Sequence, residues 1–470
     1  MAYKRVELDS AAIDEQLLIC DRIAAEHANA EKPLLALVDT YGCQQNEADS
    51  ENLRGYLARM GYGFTDDEHE ADIMIVNTCA IREHAETRVL GNVGHMTHSK
   101  KENPNQIIAV CGCMVQQPHM AEKLKHSYPY VDLVFGPHDL WRFPELLEKK
   151  LHQKKRVYAV EPSEGTVYEG IPQVRTNGVK AWLSIMYGCN NYCTYCVVPY
   201  VRGRERSRRP EEIVEEAKRL VAEGYKEITL LGQNVNSYGK DLGPDVCDFA
   251  DLIRMINDIP GEFIIRFMTS HPKDATEKLF KTMAECDKCC HQLHLPVQAG
   301  NSRVLKAMNR SYTREKYLEQ VDLARKYMPD LVLTTDIIVG FPGETDEEFE
   351  DTLSLVEQVR FDSMFTFIFS PRMGTPAYSF PDPYTREQKQ VRFDKLVEMA
   401  NGISAEIHKS YEGKILPVLV DGCTDSGELS TRTMGGRLVR VQGDKSLIGK
   451  FVKVEITGSN TYALSGKLAD

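Results

Sequence analysis

The chain lacks several features that would have placed it quickly. None of its 470 residues fall in a stretch approaching the roughly 18 consecutive apolar residues that a membrane-spanning helix needs. Met1 to Glu15 contains no apolar run and hence no secretion-signal pattern, so a soluble cytoplasmic protein with no membrane partner is expected. Positive charge is not in excess: 57 Lys and Arg face 69 Asp and Glu, a net charge of -12. That excludes a protein basic over its whole surface, but not RNA binding, which needs only a local basic face. The thirteen cysteines are an odd number, and without a secretion signal they do not read as a disulfide framework. Ligation or packing is the better reading. The histidines form no H-E-x-x-H pattern and no triad signature.

What is present centres on Met186 to Tyr200, where Cys189, Cys193 and Cys196 form a C-x3-C-x2-C loop. Three thiolates on one turn can hold three corners of a cubane cluster and leave the fourth iron open, whereas a structural zinc or a complete ferredoxin site wants four protein ligands. An open corner calls for an exogenous ligand. The competing reading, three unconnected buried cysteines, gives no reason for one residue type to recur so closely.

Residues 1–32 are polar and read as a helical or loosely ordered extension. Over 33–151, apolar runs at 34–38, 73–76, 107–110 and 131–135 alternate with helix-like segments, which predicts a doubly wound parallel α/β domain. A cysteine follows each of the first three runs, Cys43, Cys79 and Cys113, at intervals of 36 and 34 residues. Loops at the carboxyl ends of neighbouring parallel strands converge on one edge of a sheet, so these thiols are expected to meet as a second three-cysteine site. Cys111 competes with Cys113, but it ends the apolar run, while Cys113 lies in the loop.

Residues 152–178 lack apolar periodicity and read as a linker. Over 179–404, six candidate strands at 182–186, 227–231, 263–268, 292–297, 333–339 and 364–369 alternate with amphipathic helices and predict a partial (βα)6 barrel. Each unusual sequence stands just past a strand: the cysteine loop, Gly232-Gln233-Asn234, Ser270-His271, Gln298, Gly340 to Glu344, and Arg372. Barrel enzymes build their sites on that face, and glycine there lets backbone approach a small molecule closely. Arg202, Arg204, Arg206, Arg208 and Arg209, opposed only by Glu205, suit a polyphosphate substrate. A solvated charged run is the alternative. Over 405–470, short strand patterns at 415–420, 437–441 and 451–456 predict a small β-barrel, with Arg432, Arg437, Arg440, Lys450 and Lys453 as candidates to line a nucleic-acid groove. Cys286, Cys289 and Cys290 match no ligand spacing and, with Cys20, Cys247 and Cys423, read as packing.

The loop Cys189-x3-Cys193-x2-Cys196, with aromatic Tyr195 before its last cysteine, resembles the cluster loop of the radical S-adenosylmethionine (radical SAM) superfamily. The resemblance implies that the open iron chelates S-adenosylmethionine and that an electron from the cluster cleaves it to a 5′-deoxyadenosyl radical. It also implies that Gly232, Gln233 and Asn234 lie at the amino-group motif, that Ile338, Gly340, Gly343 and Glu344 line the adenine, and that Ser270 and His271 reach the ribose. Joined to the three cysteines of the first domain, the pattern resembles the methylthiotransferases from residue 33 onward, and the tail resembles the RNA-binding TRAM domain. The resemblance implies two 4Fe-4S clusters, the auxiliary one on Cys43, Cys79 and Cys113, and an electron donor such as a flavodoxin or ferredoxin. Three substrates compete within that family: an isopentenylated adenosine in the tRNA anticodon stem-loop, a threonylcarbamoyl adenosine at the same place, and an aspartate of a ribosomal protein. Asn77-Thr-Cys-Ala-Ile-Arg-Glu, Val197 to Gly203, Gly232 to Tyr238 and His294 to Gln298 most resemble the first. Gln298, Arg372, Arg202 and Arg204 are the candidates to contact tRNA, with the base extruded from the loop. A monomer is expected. The rival from another class is an RNA-binding protein whose iron–sulfur clusters are structural, with no need of S-adenosylmethionine.

Overall fold

The computed structural model describes residues 7–80, 83–161, 163, 165–243 and 246–469, with backbone only for 83–85. Ile81 and Arg82 of the Asn77 motif lie outside these. Two compact units result, one of Met1–Thr176, Met186–Asn190 and Cys196–Arg208, the other of Asn177–Ile185, Asn191–Tyr195 and Arg209–Asp470.

The first unit is built on six parallel strands: β1 (Leu35–Tyr41), β2 (Gly63–Phe64), β3 (Ile73–Thr78), β4 (Ile107–Gly112), β5 (Leu133–Phe135) and β6 (Val157–Ala159). Their spatial order is β2-β1-β3-β4-β5-β6. The order reverses at β1, which is the switch-point topology of doubly wound sheets. Side chains alternate across a strand, and the core divides accordingly. Ile73, Ile75, Ile107, Ala109, Leu133 and Phe135 pack on one face against helices α1 (Ser10–His27), α2 (Gln44–Arg59) and the later Phe143–His152. Met74, Val76, Ile108, Val110 and Val134 pack on the other face, where α3 (Glu83–His95) supplies Val89 and Val93 and α4 (Pro118–Ser127) supplies Met120 and Leu124. Continuous apolar strands are therefore what two covered faces require. Helix α1, in the stretch read as an extension, buries Ile13, Ile19, Cys20 and Ile23 in this core. Strand β6 lies in the stretch read as a linker. Its three residues are too few to show a period; the strand pairs with β5, and Ala159 is buried in the core.

In the second unit six parallel strands follow one another in chain order: β7 (Lys180–Ser184), β8 (Glu227–Leu231), β9 (Ile264–Phe267), β10 (Gln292–His294), β11 (Val332–Val339) and β12 (Ser363–Ile368). They form two three-stranded sheets, joined where Ile265 bridges Cys289. This is a partial barrel, open between β7 and β12 among the described residues. The last strands, β13 (Ile415–Cys423), β14 (Leu429–Thr433), β15 (Leu438–Val441), β16 (Phe451–Ser459) and β17 (Leu464–Leu468), close into a small barrel around Val418, Val420, Val439, Val454 and Ile456. Two of these strands, β14 and β17, have weak apolar alternation and escape a reading by sequence pattern.

The small barrel is fixed to the amino-terminal ends of the larger one. Arg266 of β9 donates from Nε to Glu227 at 2.9 Å, and its Nη atoms donate to Gln292 Oε1 at 2.7 Å and to the carbonyls of Thr433 and Met434 at 2.8 Å. Arg437 pairs with Asp362 and lies over the Tyr411 ring, and Lys180 pairs with Asp421. Arg437, expected along a nucleic-acid groove, is thus committed elsewhere. Arg437 is buried against Asp362, and Arg432 reaches Asp421 at 3.3 Å. Arg440 is half-buried, while Lys450 and Lys453 are exposed. No described helix is long and apolar enough to cross a membrane.

Candidate functional site

In the first unit the loops after β1, β3 and β4 carry Cys43, Cys79 and Cys113 to the carboxyl edge of the sheet, beside the point where strand order reverses. Backbone makes the approach possible. Gly112 sits at φ +93°, where a Cβ would stand 2.4 Å from the Thr78 carbonyl oxygen, and a Cβ on Gly42 would stand 3.0 Å from Cβ of Cys79. At Gly112 only glycine tolerates both the left-handed turn and the contact. The Cys113 N–H donates to the Thr78 carbonyl at 2.8 Å. Asn46 then ties the loops together: it accepts from Cys43 Sγ at 3.3 Å and donates to Asn77 Oδ1 and to the Thr78 carbonyl, each at 3.0 Å.

The sulfurs share one electrostatic field. A hydrogen bond from Cys79, the Arg202 charge and the N–H groups of Gln45 and Asn46 bring the Cys43 thiol down to about 6 against its burial. Cys43 is the N-cap of α2, where helix N–H groups favour a thiolate. Burial pushes Cys113 up to about 11, opposed by Arg202. Arg202 itself donates from Nε to Cys113 Sγ at 3.0 Å and from Nη2 to Asp49 Oδ2 at 2.7 Å. Ala80, Val197 and Val201 pack over Cys113. Cys111, two residues earlier, faces the apolar core among Ile75, Ala109 and Phe135, and burial pushes its thiol well up. Three soft thiol ligands brought to one edge of the sheet, two of them sharing a hydrogen bond and two of them under the Arg202 charge, fit an iron–sulfur cluster. No three His, Cys, Asp or Glu side chains among the described residues close around the position of a single ion. A four-iron cluster takes one thiolate per iron, so its ligands need not converge on one point.

The basic run after the cysteine loop stands apart from the expectation of phosphate contacts. Arg202, Arg206 and Arg208 are buried, Arg206 on the carbonyls of Arg202 and Arg204 and Arg208 on Glu169. Arg204 is half-buried and Arg209 exposed. The sequence shows five arginines in eight residues but not that three of them serve the interior of this unit. Asn46, Asn77 and Asp49 carry no spacing that would have singled them out.

Of the cysteine loop, Cys189 is buried and donates its N–H to the Gly203 carbonyl at 3.1 Å within the first unit, where Gly188 at φ +76° leaves no room for a side chain beside Arg204. Cys196 is half-buried. Cys193 belongs to the second unit, where Arg310 donates to its Sγ at 3.6 Å. Arg310 also donates to the Pro296 carbonyl at 2.6 Å and to Tyr312 Oη at 2.8 Å. Asn309 donates to the carbonyls of Asn191 and Tyr192. Arg310 is a site residue that no sequence pattern marked.

At the carboxyl rim of the partial barrel stand Gly232, Gln233 and Asn234 after β8, Ser270 and His271 after β9, Gln298 after β10, Ile338 to Glu344 at the end of β11, and Arg372 after β12. Thr269 and Gln298 adopt φ of +73° and +72°, strained for residues with a Cβ, and such strain gathers at functional sites. Asn234 donates to Asp274 at 2.7 Å, yet its Oδ1 is buried without a hydrogen-bond partner, as are both amide atoms of Asn236, Ser270 Oγ and His271 Nε2. Buried polar atoms are rarely left so, and this set fits a polar ligand carrying amino, carboxylate and hydroxyl groups. The Lys273 N–H donates to His271 Nδ1, so the ring proton resides on Nε2. Burial, then the charge of Arg310, holds His271 far below its ordinary value and keeps it neutral. Tyr195, Gln233, Ile338 and Arg372 are half-buried, and Gly343 is exposed.

Glu344 accepts from the Gly340 N–H at 2.8 Å and lies 3.5 Å from Arg392, while burial raises its carboxyl from 4.5 to about 7. A group protonated more readily when folded stabilises the fold at low pH and loses that contribution as pH rises through its folded value. The stability of the wild-type chain relative to Glu344→Gln is therefore expected to fall between pH 4.5 and pH 7 by on the order of 3 kcal/mol, read from denaturant midpoints. Parallel pH profiles for the two chains would refute this.

Comparison with known proteins finds three family matches along the chain. Residues 36–136 match Uncharacterized protein family UPF0004, residues 183–356 the Radical SAM superfamily and residues 409–469 the TRAM domain. Among solved structures, the radical S-adenosylmethionine methyltransferase TsrM from Kitasatospora setae has a similar fold, at TM-score 0.55 and 15% identity over 74% of this chain and 75% of that one. A relative named tRNA-2-methylthio-N(6)-dimethylallyladenosine synthase, from Thermoanaerobacter sp. (strain X514), is 50% identical over 97% of this chain and 98% of its own length. Another of the same name, from Clostridium botulinum (strain Langeland / NCTC 10281 / Type F), is 53% identical over 92% of this chain and 96% of its own. Identity of that extent, spanning both cysteine-bearing units and the terminal barrel, shows that the chain belongs to the tRNA-2-methylthio-N(6)-dimethylallyladenosine synthase family, within the Radical SAM superfamily.

Proposed function

We propose that the chain attaches a methylthio group to C2 of N6-isopentenyladenosine at position 37 of tRNA, beside the anticodon, using two 4Fe-4S clusters and two molecules of S-adenosylmethionine. The observation that carries this reading is the 53% identity over 92% of the chain to a relative whose name states that product. Neither the threonylcarbamoyl adenosine, the ribosomal-protein aspartate nor a purely RNA-binding role is favoured by the relatives. We divide the chain as 33–151 for the auxiliary-cluster domain, 179–404 for the radical core and 405–470 for the TRAM domain, with the helix of the N-terminal extension and the strand of the linker at 152–178 packed onto the first of these. The matches at 36–136, 183–356 and 409–469 support this.

When bound, the clusters and S-adenosylmethionine supply one-electron radical chemistry and the sulfur to be transferred. Cys189, Cys193 and Cys196 hold one cluster, and Cys43, Cys79 and Cys113 hold the other. Arg310 keeps a cation on the Cys193 sulfur. The orphaned atoms of Asn234, Ser270 and His271 would bind the polar groups of S-adenosylmethionine, and Glu344 and Gly340 shape a turn on the same rim that would line its base. Gln298, held in a left-handed conformation, and Arg372 stand on the same rim to receive the adenosine. The partners are the tRNA anticodon stem-loop and a low-potential electron donor such as a flavodoxin or ferredoxin. The protein acts as a monomer in the cytoplasm.

Mass spectrometry of tRNA nucleosides from cells with and without the gene tests the reading. Deletion is expected to remove the methylthio form of isopentenyladenosine and leave isopentenyladenosine itself. Persistence of the methylthio form in a strain without a paralogue would sink the substrate assignment.

A further inference from the structure

Arg202 is 5% exposed, and both of its principal partners lie inside the first unit. Burying a guanidinium costs several kcal/mol unless its charge is paired and its donors are used. Asp49, itself 4% exposed on α2, satisfies the pairing at 2.7 Å. Ion pairing alone would not require the remaining contact, from Nε to Cys113 Sγ at 3.0 Å. A neutral thiol is a weak acceptor, whereas a charged sulfur accepts strongly from a guanidinium. The carboxylate holds one edge of the fork and leaves Nε aimed at the sulfur. The same cation acts on Cys43, so its field reaches two of the three thiols.

We propose that Arg202 is a positioning residue for the auxiliary cluster: it fixes one hydrogen bond and one positive charge at the Cys113 sulfur, oriented by Asp49, and thereby stabilises the reduced cluster. The inference rests on Cys43, Cys79 and Cys113 being cluster ligands. One-electron reduction adds a single negative charge and breaks no bond, the electron coming from the low-potential donor of the reaction. Hydrogen bonds and positive charge at ligating sulfurs favour that added electron. Arg202 is on this account an internal part of the cluster site and makes no contact with tRNA phosphate.

The test uses the full chain with Cys189, Cys193 and Cys196 replaced by Ala, so that only the auxiliary cluster reports. After anaerobic reconstitution with iron and sulfide, its midpoint potential is read by EPR-monitored titration. Arg202→Gln is expected to disfavour reduction about tenfold, a shift of about 59 mV to more negative potential. Arg202→Lys, which keeps the charge but loses the fork, is expected to shift the same way by less. A role confined to folding would lower the thermal midpoint and leave the potential in place, so an unmoved potential in a cluster-loaded Arg202→Gln chain overturns the proposal. Should Arg202→Gln fail to fold, Arg202→Lys carries the decision by the same criterion. A parent chain that binds no iron on its remaining cysteines overturns the ligand reading itself, before any Arg202 variant is made.

Discussion

Cys43→Ala is expected to abolish methylthiolation of tRNA while leaving reductive cleavage of S-adenosylmethionine intact. Cys43 and Cys79 share a hydrogen bond, Cys113 carries the Arg202 contact, and none of the three is in the cysteine loop expected to hold the other cluster. Removing one thiolate from a three-ligand site leaves two, too few to hold a cubane, so iron should fall from about eight to about four per chain. Cys79→Ala and Cys113→Ala should behave alike. Cys111→Ala is the control: its sulfur belongs to the apolar core, and its loss should cost about 1 kcal/mol of stability while sparing iron and activity. Full iron content in Cys43→Ala, or loss of the auxiliary cluster in Cys111→Ala, would overturn the assignment.

Arg266→Ala is expected to cost about 3–5 kcal/mol, the usual result of breaking a buried ion pair by removing one partner. Glu227, buried beside it, would be left uncompensated, and the Thr433 and Met434 carbonyls would lose their donor. Because those carbonyls belong to the terminal barrel, the loss should show there first, as faster proteolysis beyond Lys409 and weaker tRNA binding, with S-adenosylmethionine cleavage retained. The double change Arg266→Met with Glu227→Leu should recover the part of the loss that comes from the uncompensated Glu227 charge, while the Thr433 and Met434 carbonyls stay without their donor. If Arg266→Ala unfolds at the same denaturant concentration as the wild type, the pair contributes nothing to docking.

Much of this architecture is legible in the residues because its signals are periodic. β-strands covered on both faces must be apolar throughout, so the runs ending near Val76 and Val110 stand out, and the cysteines fall where the runs stop. The rim of the second unit is legible for the same reason. The sequence conceals whatever depends on which way a charge points. Arg202 and Arg437 look like solvent-facing nucleic-acid contacts in a linear string, yet both are buried and paired with carboxylates far along the chain. Arg310 and Asn46 are equally silent, since a single Arg or Asn gains meaning only from the sulfur it reaches. The strands Leu429–Thr433 and Leu464–Leu468 escape because each is five residues long and holds only one or two apolar side chains.

The attachment of the small barrel also has a mechanical meaning. Helix Arg386–Lys409, 24 residues and so about 36 Å long, runs from the radical core to the terminal barrel, and Ser404 and His408 clasp its far end to the Thr461 and Asn460 carbonyls. With Arg266, Arg437 and Lys180 locking the other side, the connection is a braced strut rather than a tether. On the proposed function, an RNA held by the small barrel would be offered to the rim at one fixed span, as by a caliper. Register along the stem-loop is then chosen by the length of a helix, and changing that length by a turn should shift which nucleotide is presented.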